Sequence, residues 1–306
     1  MAFGAITDLW LIVILSRSHS EYHYMPVASM PLWQALLCSA VTAVGLFSFA
    51  AALNDILDAK HDRIFSPLRP VAAGTIGSAQ AFLVALASLL LALAGVVAFG
   101  PDALLIALMV AGGSLFYNGT AKYIPGVGLL TLGVLHAANM LIPNEQFTFT
   151  LPAWLAMTHG TAVATLMHTV QSKRPALSSR AIWLLAVGWL GCSALIIGFG
   201  LSRSTGSYWP ESTPIYGPAI PLIAIVAFIA VVHRKVSRAT NTAIAAEKVA
   251  RYGALWQSIY AAAWLFSWGE NWWAFIALVV AGVGFGAMTL LKELGGSIAQ
   301  PIAYRG

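Results

Sequence analysis

Apolar residues run almost unbroken for a helix's length at a time, and Gly, Pro and charged residues punctuate the runs. Ten such runs predict ten helices, at about 4–19, 30–58, 79–99, 102–118, 126–142, 152–171, 181–201, 217–234, 251–267 and 272–292. A helix crossing a bilayer needs about 20 predominantly apolar residues. The pattern therefore predicts an all-α, polytopic membrane bundle of about nine to ten transmembrane helices, with 251–267 the run least like a full crossing. Ten spans use roughly 200 residues, so a single integral-membrane domain over residues 1–306 accounts for the chain.

Composition narrows the reading. The chain is 59% hydrophobic and 9% charged, with 16 Lys+Arg and 11 Asp+Glu. A soluble protein of this length carries roughly three times as many charges, so too few groups exist to clothe a water-facing exterior. A disordered or collagen-like chain is excluded by the same scarcity and by the absence of low-complexity sequence. Cys38 and Cys192 lie inside apolar runs and read as packing residues. The N-terminal stretch has no basic n-region and no A-x-A site, so no signal peptide is expected.

The placement of the charges sets an orientation. With the N-terminus inside, fourteen basic residues fall on one side, from Lys60, Arg63 and Arg69 to Lys248, Arg251, Lys292 and Arg305, and only Arg17 and Arg203 on the other. That asymmetry predicts cytoplasmic termini in an inner-membrane protein of bacterial type. Tyr22, Tyr24, Trp33, Trp154, Tyr208, Trp209, Trp268, Trp272 and Trp273 gather on the opposite side as an interfacial aromatic belt. The basic excess is thus topology, and no nucleic-acid partner is expected.

The acids are concentrated where the second run ends, in Asn54-Asp55-Ile56-Leu57-Asp58-Ala59-Lys60-His61-Asp62. On a helix Asn54, Asp58 and Asp62 share one face and Asp55 lies beside them. Three carboxylates so close repel one another, and a hard cation such as Mg²⁺, completed by substrate phosphates and water, is the natural compensation. A solvated helix end, its acids paired with Lys60 and Arg63, is the plainer alternative. Ser66-Pro67-Leu68-Arg69-Pro70 and then Gly74 form a rigid turn presenting one guanidinium, and Tyr117-Asn118-Gly119-Thr120-Ala121-Lys122 opens a second loop on the same side. Arg69 and Lys122 are the obvious cations for a metal-held diphosphate.

The N-D-x-x-D-x-x-x-D of Asn54 to Asp62, followed by P-x-R-P at Pro67 to Pro70, resembles the first signature of the UbiA superfamily of intramembrane prenyltransferases. The Tyr117/Lys122 loop and the many-span layout are similar to that superfamily too. The resemblance implies a helical bundle with a central cavity, in which Mg²⁺ assists ionisation of an isoprenyl diphosphate and the prenyl group passes to a lipophilic acceptor. By position, Asn54, Asp55, Asp58 and Asp62 would hold metal, and Arg69, Lys122 and Tyr117 the diphosphate. The chain departs from the pattern at the end of the sixth run. There the second acidic motif is replaced by His168-Thr169-Val170-Gln171-Ser172-Lys173-Arg174-Pro175, which has no carboxylate. Lys173 or Arg174 would then stand in for a second metal, so one Mg²⁺ is expected. His168 and Asp8 are candidates to deprotonate the acceptor.

Two other readings stay open. A non-catalytic UbiA-like subunit could bind lipid, quinone or pigment within a membrane complex of fixed protein partners, with His136, Asn139, His159 and His168 as intramembrane ligands rather than packing groups. A terpene cyclase of the same type would close the cation on itself. His19 and His23 lack a third ligand and are discounted as a zinc site. The glycines at 112–113 and 282–286 follow no strand, so close helix packing is expected of them.

Overall fold

The computed structural model describes residues 2–173, 175–204, 208–209 and 213–299. Their regular structure is all helical: α1 (Ala2–Ser18), α2 (Pro26–Ser29), α3 (Leu32–Leu57), α4 (Ala59–Phe65), α5 (Ser78–Val96), α6 (Pro101–Gly119), α7 (Pro125–Met140), α8 (Leu151–Val170), α9 (Ser179–Arg203), α10 (Ala219–Ser237), α11 (Thr242–Ser267) and α12 (Asn271–Ala299). The ten long helices coincide with the ten predicted runs. Prolines at the first turns of α6, α7 and α8 start those helices, where a missing N–H costs nothing. Gly100, at φ +101°, makes the sharp reversal between α5 and α6.

The largest departure is α11, which begins at Thr242 instead of 251. Glu247, Lys248 and Arg251 interrupt the apolar run, yet each is a good helix former. Asn241 caps the end, its Oδ1 accepting the Ile244 N–H at 2.8 Å.

Among the described residues six helices, α3, α5, α6, α9, α10 and α12, are long and apolar enough to cross a membrane. The other four, α1, α7, α8 and α11, are shorter or more polar, and the packing explains why. α11 lies against α1, α8, α10 and α12, while α7 packs on α8 and α1. Because these four face protein rather than lipid, they can carry polar groups that bond to neighbouring helices. Thr7 Oγ1 donates to Ser258 Oγ at 2.8 Å, His159 Nε2 to Gly253 O at 2.9 Å and Trp256 Nε1 to Ala224 O at 2.7 Å. Gln257 Nε2 meets His136 Nδ1 at 3.4 Å. His136 and His159 thus serve interhelical packing.

At the aromatic-rich end, Phe149 packs against Tyr208, Trp209, Trp264 and Trp268 at centroid distances of 5.0–5.5 Å. Tyr22 Oη accepts the Thr148 N–H at 2.9 Å and stitches the first loop to this plug.

The helix that carries the acidic motif, α3, is pressed onto α5 through two glycines. A Cβ on Gly45 would lie 2.7 Å from Ala92 N and Ser88 O, and one on Gly95 2.7 Å from Cys38 O. Elsewhere, Gly113 accommodates Leu135 and Gly284 accommodates Phe3, whereas Gly112, Gly282 and Gly286 face open space.

Candidate active site

α3 ends at Leu57, and Asp58 joins it to α4 with φ −87° and ψ −2°. Helical bonding survives the joint, since Asp58 N–H donates to Asn54 O at 2.9 Å and Asp62 N–H to Asp58 O at 2.8 Å. The spacing that places Asn54, Asp58 and Asp62 together is therefore retained, and the chain turns at its middle member.

The two cations come from separate loops. After α4, Arg69 N–H bonds Ser66 O at 3.0 Å and Ala73 N–H bonds Arg69 O at 2.7 Å. Gly74 sits at φ +75°, and Thr75 Oγ1 donates to Pro70 O at 2.9 Å. This knot of turns points Arg69 back at the motif. Its Nη1 lies 2.8 Å from Asp62 Oδ2 and 3.8 Å from Asp55 Oδ1. Lys122, on the single 3₁₀ turn Ala121–Tyr123, pairs directly with Asp58. Its ammonium also lies 5.4 Å from the centre of the Tyr123 ring.

The acids are thus paired, but with Arg69 and Lys122 rather than with Lys60 and Arg63. Their environments differ: the Asp62 side chain is 7% exposed and Asp55 44% exposed.

The sixth-run loop reaches the same place. α8 ends in a Schellman-type turn, with Lys173 N–H bonding His168 O and Ser172 N–H bonding Thr169 O, both at 3.0 Å. Ser172 adopts φ +49° there, a left-handed conformation that usually calls for glycine. The turn leaves Lys173 solvent-exposed but within electrostatic reach of Arg69 and Asp58. Desolvation, and then the Arg69 charge, push its pKa below the usual 10.5, while Asp58 opposes them. His168 is buried, with Nε2 donating to Pro175 O at 3.1 Å. It ties the α8–α9 loop and is not among the residues lining the cleft described next. Arg174 lies outside the described residues.

Inward of the charges, α3, α6 and α7 enclose a cleft of about 320 Å³. Asn54, Asp55, Tyr117 and Asn118 form its polar rim, and Phe47 and Leu135 are among its apolar lining. Asn118 donates to Ser114 O at 3.0 Å and Ala50 O at 3.4 Å, fastening α6 to α3 at that rim. Neither the fastening by Asn118 nor the apolar lining is marked in the sequence, since nothing there distinguishes Phe47 or Leu135 from the many other apolar residues of the same type.

Among the described residues no group of three or more His, Cys, Asp or Glu side chains is arranged to hold a metal ion. The donor set still suits Mg²⁺, which takes hard oxygens and usually one or two carboxylates, with phosphate and water completing its shell. Asn54 and Asp55 offer such oxygens at the cleft. A second cage built from the α8–α9 loop is not available, since residues 171–178 contain no Asp or Glu.

Residues 24–174, beginning in the loop before α2, match the model of the UbiA prenyltransferase family. Over these residues, 151 of the 306, the chain is a member of the UbiA prenyltransferase family. A solved structure from a study of digeranylgeranylglyceryl phosphate synthase in membranes shares the fold, with a TM-score of 0.54 and 17% identity. The similarity covers 88% of this chain and 93% of that one, so the shared fold extends beyond the residues of the family match. No curated protein sequence matches. This UbiA chain is an integral, multi-pass membrane protein, with a charged cluster and a cleft where the first family motif lies.

Proposed function

We propose that this single-domain protein transfers a prenyl group from an isoprenyl diphosphate to a lipophilic acceptor, an aromatic compound or a lipid, within the membrane. The observation that carries the reading is the juxtaposition of Asn54, Asp55 and Tyr117 on an apolar cleft with the cations Arg69, Lys122 and Lys173 beside them. The diphosphate would lie at the charged end and the isoprenoid in the cleft, among Phe47 and Leu135.

The chemistry follows from that polarity. Cleavage of the allylic C–O bond leaves negative charge on diphosphate and positive charge on carbon. Arg69, Lys122 and Lys173 stabilise the first, and the faces of Phe47 and Tyr117 suit the second. The apolar lining excludes water that would quench the cation. The acceptor then forms the new bond to carbon and gives up a proton. Bound at Asn54, Asp55, Asp58 and Asp62, Mg²⁺ would supply further charge for the leaving group, and we read one ion because Lys173 takes the place of a second acidic motif.

Arg69 and Lys122 have two sets of partners in this scheme. Without substrate they neutralise Asp62 and Asp58, and a bound diphosphate would offer them phosphate oxygens instead. The basic surplus on the motif's side supports a site at the cytoplasmic face.

The test is release of diphosphate from labelled isoprenyl diphosphates of several chain lengths, with a membrane-lipid extract as acceptor and with Mg²⁺ or chelator. Release that needs Mg²⁺ and disappears in Asp58→Ala and Asp62→Ala is the expected outcome. No release at any chain length, from protein that copurifies with fixed partners or a coloured cofactor, would establish the subunit reading instead.

A further inference from the structure

A second cationic cluster lies at the adjoining ends of α10, α11 and α12, helices that carry none of the residues assigned to prenyl transfer. The Arg251 guanidinium sits 5.1 Å from the centre of the Phe285 ring and donates to Thr289 Oγ1. Its Nη1 is 3.5 Å from Glu247, while its buried Nε–H has no partner. On α10, Lys235 Nζ lies 5.2 Å from the centre of the Tyr252 ring, which packs 5.6 Å from Phe285. Lys248 is half-buried, and Arg234 and Arg238 are exposed. From 234 to 251 the chain has Arg234, Lys235, Arg238, Lys248 and Arg251 against the single acid Glu247.

An unspent donor and a surplus of positive charge on two aromatic shelves call for an anion able to accept several hydrogen bonds, and phosphate oxygens meet that need. The flanks of the site identify the rest of the ligand. Val226 and Ile229 on α10, and Val283 and Leu290 on α12, are more than 60% exposed, so apolar helix surface leads away from the cations. A phosphate carrying acyl chains fits both halves, and a free phosphate only the first.

We propose that the ends of α10–α12 bind the phosphate of an anionic phospholipid, with Arg251 at the centre, Lys235 and Lys248 beside it, and the acyl chains along α10 and α12. The site does not depend on prenyl transfer, and its test reads binding alone.

The test uses the full chain, purified and delipidated, titrated in native mass spectrometry with phosphatidylglycerol, phosphatidylcholine or inorganic phosphate. Phosphatidylglycerol adducts should persist at concentrations where phosphatidylcholine adducts are gone. Lys235→Gln and Lys248→Gln should each weaken them about fivefold, the factor equivalent to about 1 kcal/mol per basic residue. Arg251→Gln should weaken them more, but it also loosens α11 from α12, so the two lysine variants decide. Equal retention of the two lipids, or no loss in the Lys235→Gln/Lys248→Gln double variant, overturns the proposal. Competition by inorganic phosphate at the same concentration as the anionic lipid also overturns it, marking a site for free anions.

Discussion

The Arg69–Asp62 pair is unequal in its burial, and the two ways of breaking it should therefore differ in cost. Arg69→Ala leaves the Asp62 carboxylate, 7% exposed, with no Lys or Arg partner among the described residues and only the His61 ring, Nδ1 at 3.9 Å, beside it. Breaking a fully buried pair costs about 3–5 kcal/mol and an exposed one about 0–1 kcal/mol. The Arg69 side chain is 45% exposed, so solvent screens the pair and the expected loss is about 1–3 kcal/mol. Asp62→Asn strands instead a solvated guanidinium that keeps Asp55 at 3.8 Å, a loss below about 1 kcal/mol. The double variant removes both charges and should return to within about 1 kcal/mol of the parent. Thermal unfolding in detergent can be followed by fluorescence of the 11 tryptophans. It should show Arg69→Ala a few degrees below the parent and the other two near it. Equal losses for the two single variants, or a double variant worse than Arg69→Ala, would refute the argument from burial.

Three further outcomes are expected. Because the Lys173 pKa lies below 10.5, its charge and its hold on diphosphate should fade as pH rises toward that value; Lys173→Arg, which stays charged, should shift this alkaline limb upward in a diphosphate-binding titration, and an unmoved limb would exclude Lys173. Burial lowers the His19 pKa from 6.5, so below pH 6.5 the unfolded chain takes up the proton first and stability falls with acid; the melting temperature between pH 7 and 5 should lose part of its slope in His19→Phe, and an unchanged slope would assign the acid sensitivity elsewhere. Gly45→Val would drive methyl groups into the α5 backbone at Ala92 and Ser88, costing at least about 1–3 kcal/mol, whereas Gly112→Ala enters open space and should be neutral or slightly stabilising; similar melting temperatures for the two would contradict the close α3–α5 approach.

The helices were legible because even the shorter or more polar protein-facing ones keep an apolar run of helical length, and Pro, Gly and Asn mark their ends. The start of α11 was obscured because Glu247, Lys248 and Arg251 resemble loop residues in a hydropathy trace, although their helix propensity is high. At the site, the spacing of Asn54, Asp58 and Asp62 and the two flanking cations could be read directly. Their partners could not: with no ligand bound, Arg69 and Lys122 lie on carboxylates, since opposite charges near a bilayer do not stay apart. The turn that sets Lys173 in place was invisible because its left-handed residue is Ser172, where glycine would have announced it.

The hydrogen bond from Thr7 to Ser258 spans 251 residues, which gives it a consequence in time. Beside it on α1, Asp8 is 2% exposed in the finished bundle. An aspartate at the centre of a lone helix costs about 2.5–3.5 kcal/mol to insert. At about 5–20 residues per second, α11 emerges roughly 10–50 s after α1. For that interval the first helix waits at the membrane without the neighbour that completes its polar face. In a Cys38→Ala, Cys192→Ala background, Thr7→Cys should react with a membrane-permeant thiol reagent when the chain stops before Thr242 and be protected when it is whole. Equal reaction in both chains would mean that α1 is shielded without α11.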